Sequence, residues 1–186
     1  MTQHPPPLPS SPRIILITGN MAAGKSTIAQ ALAERLPKSV HLRGDLFRRM
    51  IVNGLAEMSF ELSDAARQQL ALRYHLAAEA AKGYFQAGFT VVYQDIIIGS
   101  TLAEMVATFQ DLPLSVFVLC PRAEIVAARD SSRSKTGYPN DDAVRAFDRV
   151  LRQETPQIGY WLDTSELTVA ETVDAILRRL TPTPDP

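Results

Sequence analysis

Four apolar residues, Ile14-Ile15-Leu16-Ile17, run into the segment Gly19-Asn20-Met21-Ala22-Ala23-Gly24-Lys25-Ser26, and a helical pattern from Ser26 to Leu36 follows, closed by Pro37. No other feature of the chain restricts its fold as much. The order strand, Gly-x-x-x-x-Gly-Lys-Ser, helix makes the backbone curl so that successive N–H groups point inward, which suits a phosphate chain. The helix starting at that point adds its positive dipole end. Gly19, Asn20, Met21, Ala22, Ala23, Gly24, Lys25, Ser26 and Thr27 are therefore expected to cradle a nucleoside triphosphate. In this reading Lys25 reaches its outer phosphates and Ser26 ligates Mg²⁺.

The remaining chain repeats the alternation of short apolar runs and helical stretches. Val40–Leu42, Phe89–Tyr93, Val116–Leu119 and Tyr160–Leu162 read as strands. Asp64 to Ala87 reads as a long alanine-rich helix capped by Gly88, and Ala123 to Ser131 as a shorter one. Thr101-Leu-Ala-Glu104 and Thr168-Val-Ala-Glu171 both carry capping-box spacing and each is expected to open a helix, the second running to Leu180. Five apolar strands separated by helices predict an α/β fold of the P-loop NTPase, nucleotide-kinase-like kind. It has three layers, a five-stranded parallel sheet between helices on both faces, and carries a short arginine-bearing lid.

Eight of the thirteen prolines lie at the ends, five from Pro5 to Pro12 and three from Pro182 to Pro186. Residues 1–12 and 181–186 are accordingly expected to be disordered or extended tails around one domain at 13–180, with the lid at about 130–141. A length of 186 residues suits one domain with a substantial core. The chain is 46% hydrophobic and 21% charged with net charge −1, and lacks the basic footprint of a dedicated nucleic-acid binder. A single cysteine, Cys120, excludes an internal disulfide and suits a reducing compartment. No apolar run approaches the roughly 18 residues of a membrane span, and the N-terminal residues do not form a signal peptide. The expected location is the cytoplasm.

A phosphate loop alone does not separate kinases from GTPases or motors. The chain has no Asn-Lys-x-Asp guanine-reading motif, is short for a motor, and offers no acidic pair after an apolar strand to activate water. Gly44-Asp45-Leu46-Phe47-Arg48 follows the second strand, so Asp45 should stand at the crevice at the carboxyl ends of the strands, where a general base accepts the acceptor's hydroxyl proton. Arg48, one helical turn on, could hold Asp45 ionised or contact the acceptor. Asp95, after the third strand, could hold Mg²⁺ through water or bind acceptor hydroxyls. Arg129 and Arg133 lie four apart after the fourth strand and would share a helix face that closes over the triphosphate, with Gly137 and Pro139 as a hinge. Ser165, after the last strand, would lie beside the base of the nucleotide.

Together these residues resemble the small P-loop kinases that include chloramphenicol phosphotransferase, zeta-toxin-like sugar kinases and the kinase domain of phage polynucleotide kinase. The carriers are the phosphate loop, Asp45, the Ala87-Gly88 pair before a strand ending in Asp95, and the Arg129-x-x-x-Arg133 pair. The likeness spans about residues 13 to 180. The Asp45-x-x-Arg48 pattern looks more like the polynucleotide-kinase and zeta-toxin branches. Where the phosphotransferases show paired carboxylates, this chain has Gln94-Asp95, and Val52 to Ser63 matches no acceptor-pocket motif. The resemblance implies ATP and Mg²⁺ as cofactors and Asp45 as base toward a hydroxyl of a small molecule such as an antibiotic, a sugar or a nucleoside. A nucleotide or polynucleotide 5′-hydroxyl kinase is the second reading, and a non-catalytic ATP-binding regulator the third. Near-neutral charge argues against long nucleic acid as partner.

Overall fold

The structure is a computed structural model that describes residues 6, 8–58, 61–132 and 137–181. Strands β1 (Ile14–Gly19), β2 (Ser39–Arg43), β3 (Thr90–Gln94), β4 (Leu114–Leu119) and β5 (Tyr160–Leu162) form one sheet in the order β2-β3-β1-β4-β5. Every pairing is parallel. The helices are α1 (Lys25–Arg35), α2 (Asp45–Arg49), α3 (Asp64–Gln86), α4 (Thr101–Thr108), α5 (Ala123–Ser131), α6 (Asp141–Arg149) and α7 (Val169–Leu180). Residues Val150–Glu154 continue α6 as a single π-helical turn.

The unbroken apolar runs of the central strands follow from burial on both faces. Ile14 and Leu16 of β1 join Val91, Tyr93, Val116 and Val118 in a core completed by α3 and α4. Ile15 and Ile17 point the other way and pack with Val92, Phe117 and Leu119 under α1 and α7. The period-2 alternation of side chains thus splits each strand between two cores. Arg13 donates through Nη1 to the Leu180 carbonyl at 3.0 Å, joining the two ends of the expected domain.

Two elements differ from the sequence reading. Thr101 does not cap α4: it is the first residue of the helix, and the N-cap is Ser100, whose side chain makes no capping bond. The segment from Asp141 to Glu154, for which no element was expected, holds α6 and the π turn. Asn140 Oδ1 caps α6 by accepting the Ala143 N–H at 2.9 Å. Part of the proline-rich N-terminal segment packs on the domain, since Pro6 and Pro9 are buried. Residues 182–186 lie outside the described part.

Candidate active site

The phosphate loop leaves the end of β1 through Gly19, paired in register with Leu119 of β4. Gly19 has φ +136°, and a Cβ there would sit 2.3 Å from the Leu119 carbonyl oxygen, so only glycine fits. Ala22 adopts a left-handed φ of +59°, which costs about 1–2 kcal/mol for an L-residue. Gly24, at φ +93°, precedes the first turn of α1. Lys25 is buried, and its Nζ donates to the Asn20 carbonyl at 2.6 Å, spanning the loop. Asn20 is buried and its Oδ1 has no hydrogen-bond partner. Ser26 and Thr27 are exposed on the first turn of α1, which carries no acidic residue. Its positive end is therefore not neutralised by the chain itself.

Thr18, buried just before the loop, fixes its neighbour. Its Oγ1 donates to the Ile97 carbonyl at 2.7 Å and accepts the Ile97 N–H at 2.9 Å. This clasp lays the segment after β3 alongside the phosphate loop, with the Asp95 N–H donating to the Ile17 carbonyl. Asp95 is held by Arg73 of α3, which donates through Nε to Oδ2 at 2.9 Å and through Nη2 to Oδ1. The Ile96 N–H also donates to Oδ1, at 2.7 Å. The Asp95 side chain is 0% exposed and that of Arg73 14%. Both carboxylate oxygens are thus engaged, and Asp95 could coordinate Mg²⁺ or an acceptor only by parting from Arg73. Beside this pair Tyr74 donates its hydroxyl to the Ile96 carbonyl at 2.6 Å, and burial pushes that hydroxyl up to about 12.

Asp45 opens α2 directly after β2, two strands from β1 and so about 10 Å away at the usual strand spacing. Its partner is Arg49, Nη2 to Oδ2 at 2.6 Å, one helical turn along α2. The Arg43 Nε stands 3.6 Å from Oδ1, an ion pair too long for a hydrogen bond, and Oδ1 accepts none. Arg48 does not hold Asp45 as one sequence reading had it. It turns away and donates through Nη2 to the Ala56 carbonyl. Gln69 of α3 secures the same loop, accepting the Ala56 N–H at 2.9 Å and donating to the Gly54 carbonyl at 2.7 Å.

On the other side of the phosphate loop, Arg129 of α5 donates through Nη2 to the Thr164 carbonyl at 3.0 Å, linking α5 to the loop after β5. In that loop both donors of Ser165 are consumed. Its Oγ and N–H each donate to Asp163 Oδ1, at 2.5 and 2.9 Å, and its Oγ accepts the Arg122 N–H at 2.8 Å. These bonds hold the Asp163 carboxyl below its usual range. A nucleotide base beside Ser165 would find its hydroxyl proton and N–H already engaged. Arg133 lies outside the described residues. Gly137 is clamped: its N–H donates to both oxygens of buried Asp130 at 2.9 Å, and the Tyr138 N–H donates to Oδ2 at 3.1 Å. Asp130 thus anchors Gly137 and Tyr138 to α5. Tyr138 also donates its hydroxyl to the Met21 carbonyl in the phosphate loop at 3.2 Å.

The family model described as AAA domain (AAA_33) matches residues 14–157, well over half of the chain. The chain belongs to this family. No curated protein sequence matches it. Among solved structures it is similar to the tunicamycin resistance protein of Deinococcus radiodurans, at 22% identity and TM-score 0.70, with 94% of this chain and 99% of that one covered. It is also similar to a gluconokinase of Sinorhizobium meliloti, at 20% identity and TM-score 0.63, with 91% and 93% covered. A third is the APS kinase of Mycobacterium tuberculosis in complex with AMPPNP and APS, at 16% identity and TM-score 0.67, with 92% and 98% covered. At these identities the likeness is one of fold, and that fold is the P-loop kinase fold.

In this AAA_33 chain the sheet order sets β3 directly beside β1, so the residues after β3 border the phosphate loop with no strand between them. The cradle suits a triphosphate: the Cβ-free Gly19, the uncompensated start of α1, Lys25 across the loop and the exposed Ser26 hydroxyl. For Mg²⁺ the fit rests on Ser26. Among the described residues no three His, Cys, Asp or Glu side chains gather into a metal cluster. No helix of the described residues is long and apolar enough to cross a membrane. A cavity of about 430 Å³ between α3 and α4, lined by Leu70, Tyr74, His75 and Met105, includes no residue of the phosphate loop or α2. Sequence reasoning missed Thr18, Arg49, Arg73 and Tyr138. Arg49 was legible from its i,i+4 spacing to Asp45, whereas Arg73 and Tyr138 carry no local signal.

Proposed function

We propose that the chain is an ATP- and Mg²⁺-dependent kinase that phosphorylates a hydroxyl of a small molecule. The observation that carries this reading is Asp45. It stands at the carboxyl edge of the sheet with Oδ2 bound to Arg49 and Oδ1 ion-paired with Arg43 at 3.6 Å but accepting no hydrogen bond. A carboxylate oxygen that accepts no hydrogen bond keeps the lone pairs a general base needs toward a hydroxyl. ATP with Mg²⁺ supplies the phosphoryl group and neutralises charge on it. The chain's own groups bind and orient. Backbone N–H groups from Asn20 to Ser26 and the Lys25 ammonium take the phosphates, the Ser26 hydroxyl takes the metal, and Asp45 Oδ1 receives the acceptor proton. Arg129, half-buried on α5, approaches from the nucleotide side, and Arg133 is proposed to act with it. Thr18 and the Arg73–Asp95 pair hold the floor between phosphate loop and acceptor.

The kinase names of the solved neighbours support phosphoryl transfer, and the cytoplasm is the compartment the reading suits. Asp45→Asn tests it. The variant should keep its melting temperature and ATP affinity while acceptor-dependent ADP release falls by about 10²-fold or more. Full turnover in Asp45→Asn would remove Asp45 as the base.

A further inference from the structure

The phosphate loop begins as a tight turn. The Ala23 N–H donates to the Asn20 carbonyl at 3.2 Å, closing a β-turn with Met21 and Ala22 at its centre. Ala22 has φ +59° while φ is negative at Met21, so the turn is of the type II kind. That turn calls for glycine or asparagine at the position Ala22 holds, and with alanine there the type I form is intrinsically the more favourable. The two forms differ by a half-turn of the central Met21–Ala22 peptide: ψ of the first central residue and φ of the second change together while the ends stay in place. Whichever side the Met21 carbonyl takes, the Ala22 N–H of the same trans peptide points the other way. The choice of side must therefore come from outside the turn.

Gly137 and Tyr138 make that choice. Tyr138 donates its hydroxyl to the Met21 carbonyl at 3.2 Å. A Cβ on Gly137 would lie 3.1 Å from Met21 Sδ and 3.5 Å from Met21 Cβ, so the Gly137 backbone lies against the Met21 side chain. The Tyr138 ring is buried among Met21, Ala22, Ala143 and Phe147, and meets Phe147 edge to face with centroids 5.6 Å apart. Asp130 fixes the backbone on which the phenol is mounted by accepting the Gly137 and Tyr138 N–H groups. The hydroxyl is thus placed by groups that do not belong to the phosphate loop. It holds the Met21 carbonyl on the side of α5 and α6 and so turns the Ala22 N–H away from them. Among the described residues nothing accepts that N–H. A left-handed alanine persists only where its surroundings over-determine it, and here they do so through one hydrogen bond and the packed ring behind it.

We infer that Tyr138 is a positioning residue: its hydroxyl holds the Met21–Ala22 peptide in the type II form, which keeps the Ala22 N–H available to a nucleotide phosphate. The inference rests on reading the loop as the ATP site, and its test separates the two. On the full chain, Kd for AMPPNP with Mg²⁺ is measured by titration calorimetry. Tyr138→Phe keeps the buried ring and removes only the donor, so Kd should rise about 5-fold, the scale of one neutral hydrogen bond. Ala22→Gly frees the left-handed backbone of strain, so the Tyr138→Phe/Ala22→Gly double variant should bind within about 2-fold of Ala22→Gly alone. A ring that only packs would give neither the loss nor its repair. Unchanged Kd in Tyr138→Phe overturns the inference, and so does a loss that Ala22→Gly does not repair.

A second measurement reads the turn without nucleotide. In the free protein the NMR cross-peak between the Met21 Hα and the Ala22 amide hydrogen is strong in a type II turn, and weak in a type I turn because ψ of Met21 then carries the two hydrogens apart. It should be strong in the wild-type protein and weaken in Tyr138→Phe. A cross-peak of the same strength in both proteins overturns the inference. If the wild-type protein binds no AMPPNP, a cross-peak that weakens in Tyr138→Phe keeps Tyr138 as the holder of the turn and counts against the ATP reading instead.

Discussion

At Gly44 the backbone is ordinary right-handed helix, and a neighbour rather than a dihedral angle excludes a side chain. Asp95 fills the space a Cβ would take, so Gly44→Ala must push the carboxylate off Arg73. The expected result is a loss of about 2 kcal/mol or more, read from urea denaturation, as for other overpacked sites. Unchanged stability would mean that Asp95 has room to move. Residue-scale chemistry of this kind was partly legible. Gly19, Gly24, Lys25 and Asp45 declare themselves because motif spacing and strand ends are local. Arg73 does not, because its importance lies in a partner 22 positions away that only the docking of α3 beside β3 supplies. Ser165 was read as a nucleotide contact made mostly by backbone, and its hydroxyl and N–H are bonded to Asp163 and Arg122.

Elements show the same division. Two Thr-x-x-Glu segments carry identical capping spacing, and only Thr168 forms the box: its Oγ1 accepts the Glu171 N–H at 3.2 Å, and its own N–H donates to Glu171 Oε2 at 2.9 Å. Thr168 has the extended backbone a cap needs, with ψ 167°. Ahead of Thr101 the turn from Gly99 has already closed, with the Leu102 and Ala103 N–H groups donating to the Gly99 and Ser100 carbonyls. Thr101 therefore lies inside its helix. Thr168→Ala should lower stability by about 1 kcal/mol, measured by the urea midpoint, because α7 covers one core and loses its cap. Thr101→Ala should change it by less than about 0.5 kcal/mol. The boundaries of α5 and β5 match the sequence reading residue for residue, since a proline or a polar turn bounds each. Helix α6 was missed, although Asn140 followed by Ala143, Val144 and Phe147 is a capped amphipathic start.

Across the whole molecule, a third apolar cluster joins Met21 and Ala22 of the phosphate loop to Val126 of α5, Tyr138, and Ala143, Val144 and Phe147 of α6. With Asp130 clamping Gly137 and Tyr138, this couples the loop that would hold phosphates to the two helices flanking the arginine-bearing segment. His41 at the sheet edge supplies a pH signature. Its imidazole is held below the ordinary value near 6.5 by burial first and then by Arg43, with Asp45 opposing. The folded protein therefore favours the neutral ring. Between the folded value and 6.5 the unfolded chain binds more protons, so stability should fall as pH drops through 6.5 and level off below the folded value. Urea midpoints from pH 7.5 downward should show that loss, reduced in His41→Gln. An equal loss in the variant would assign it to other groups.

The sequence by itself determined the parallel α/β fold, because unbroken apolar strands alternating with helices have few other ways to bury their faces. It also determined the phosphate loop, whose chemistry lies within eight consecutive residues. The tertiary structure alone decided which partner each charged side chain takes. Asp95 went to Arg73, Asp45 to Arg49, Arg48 to a loop carbonyl, and Ser165 to its own turn. Long side chains from separate elements compete for the same few oxygens, and only the packed arrangement of α2, α3 and the sheet edge settles that competition.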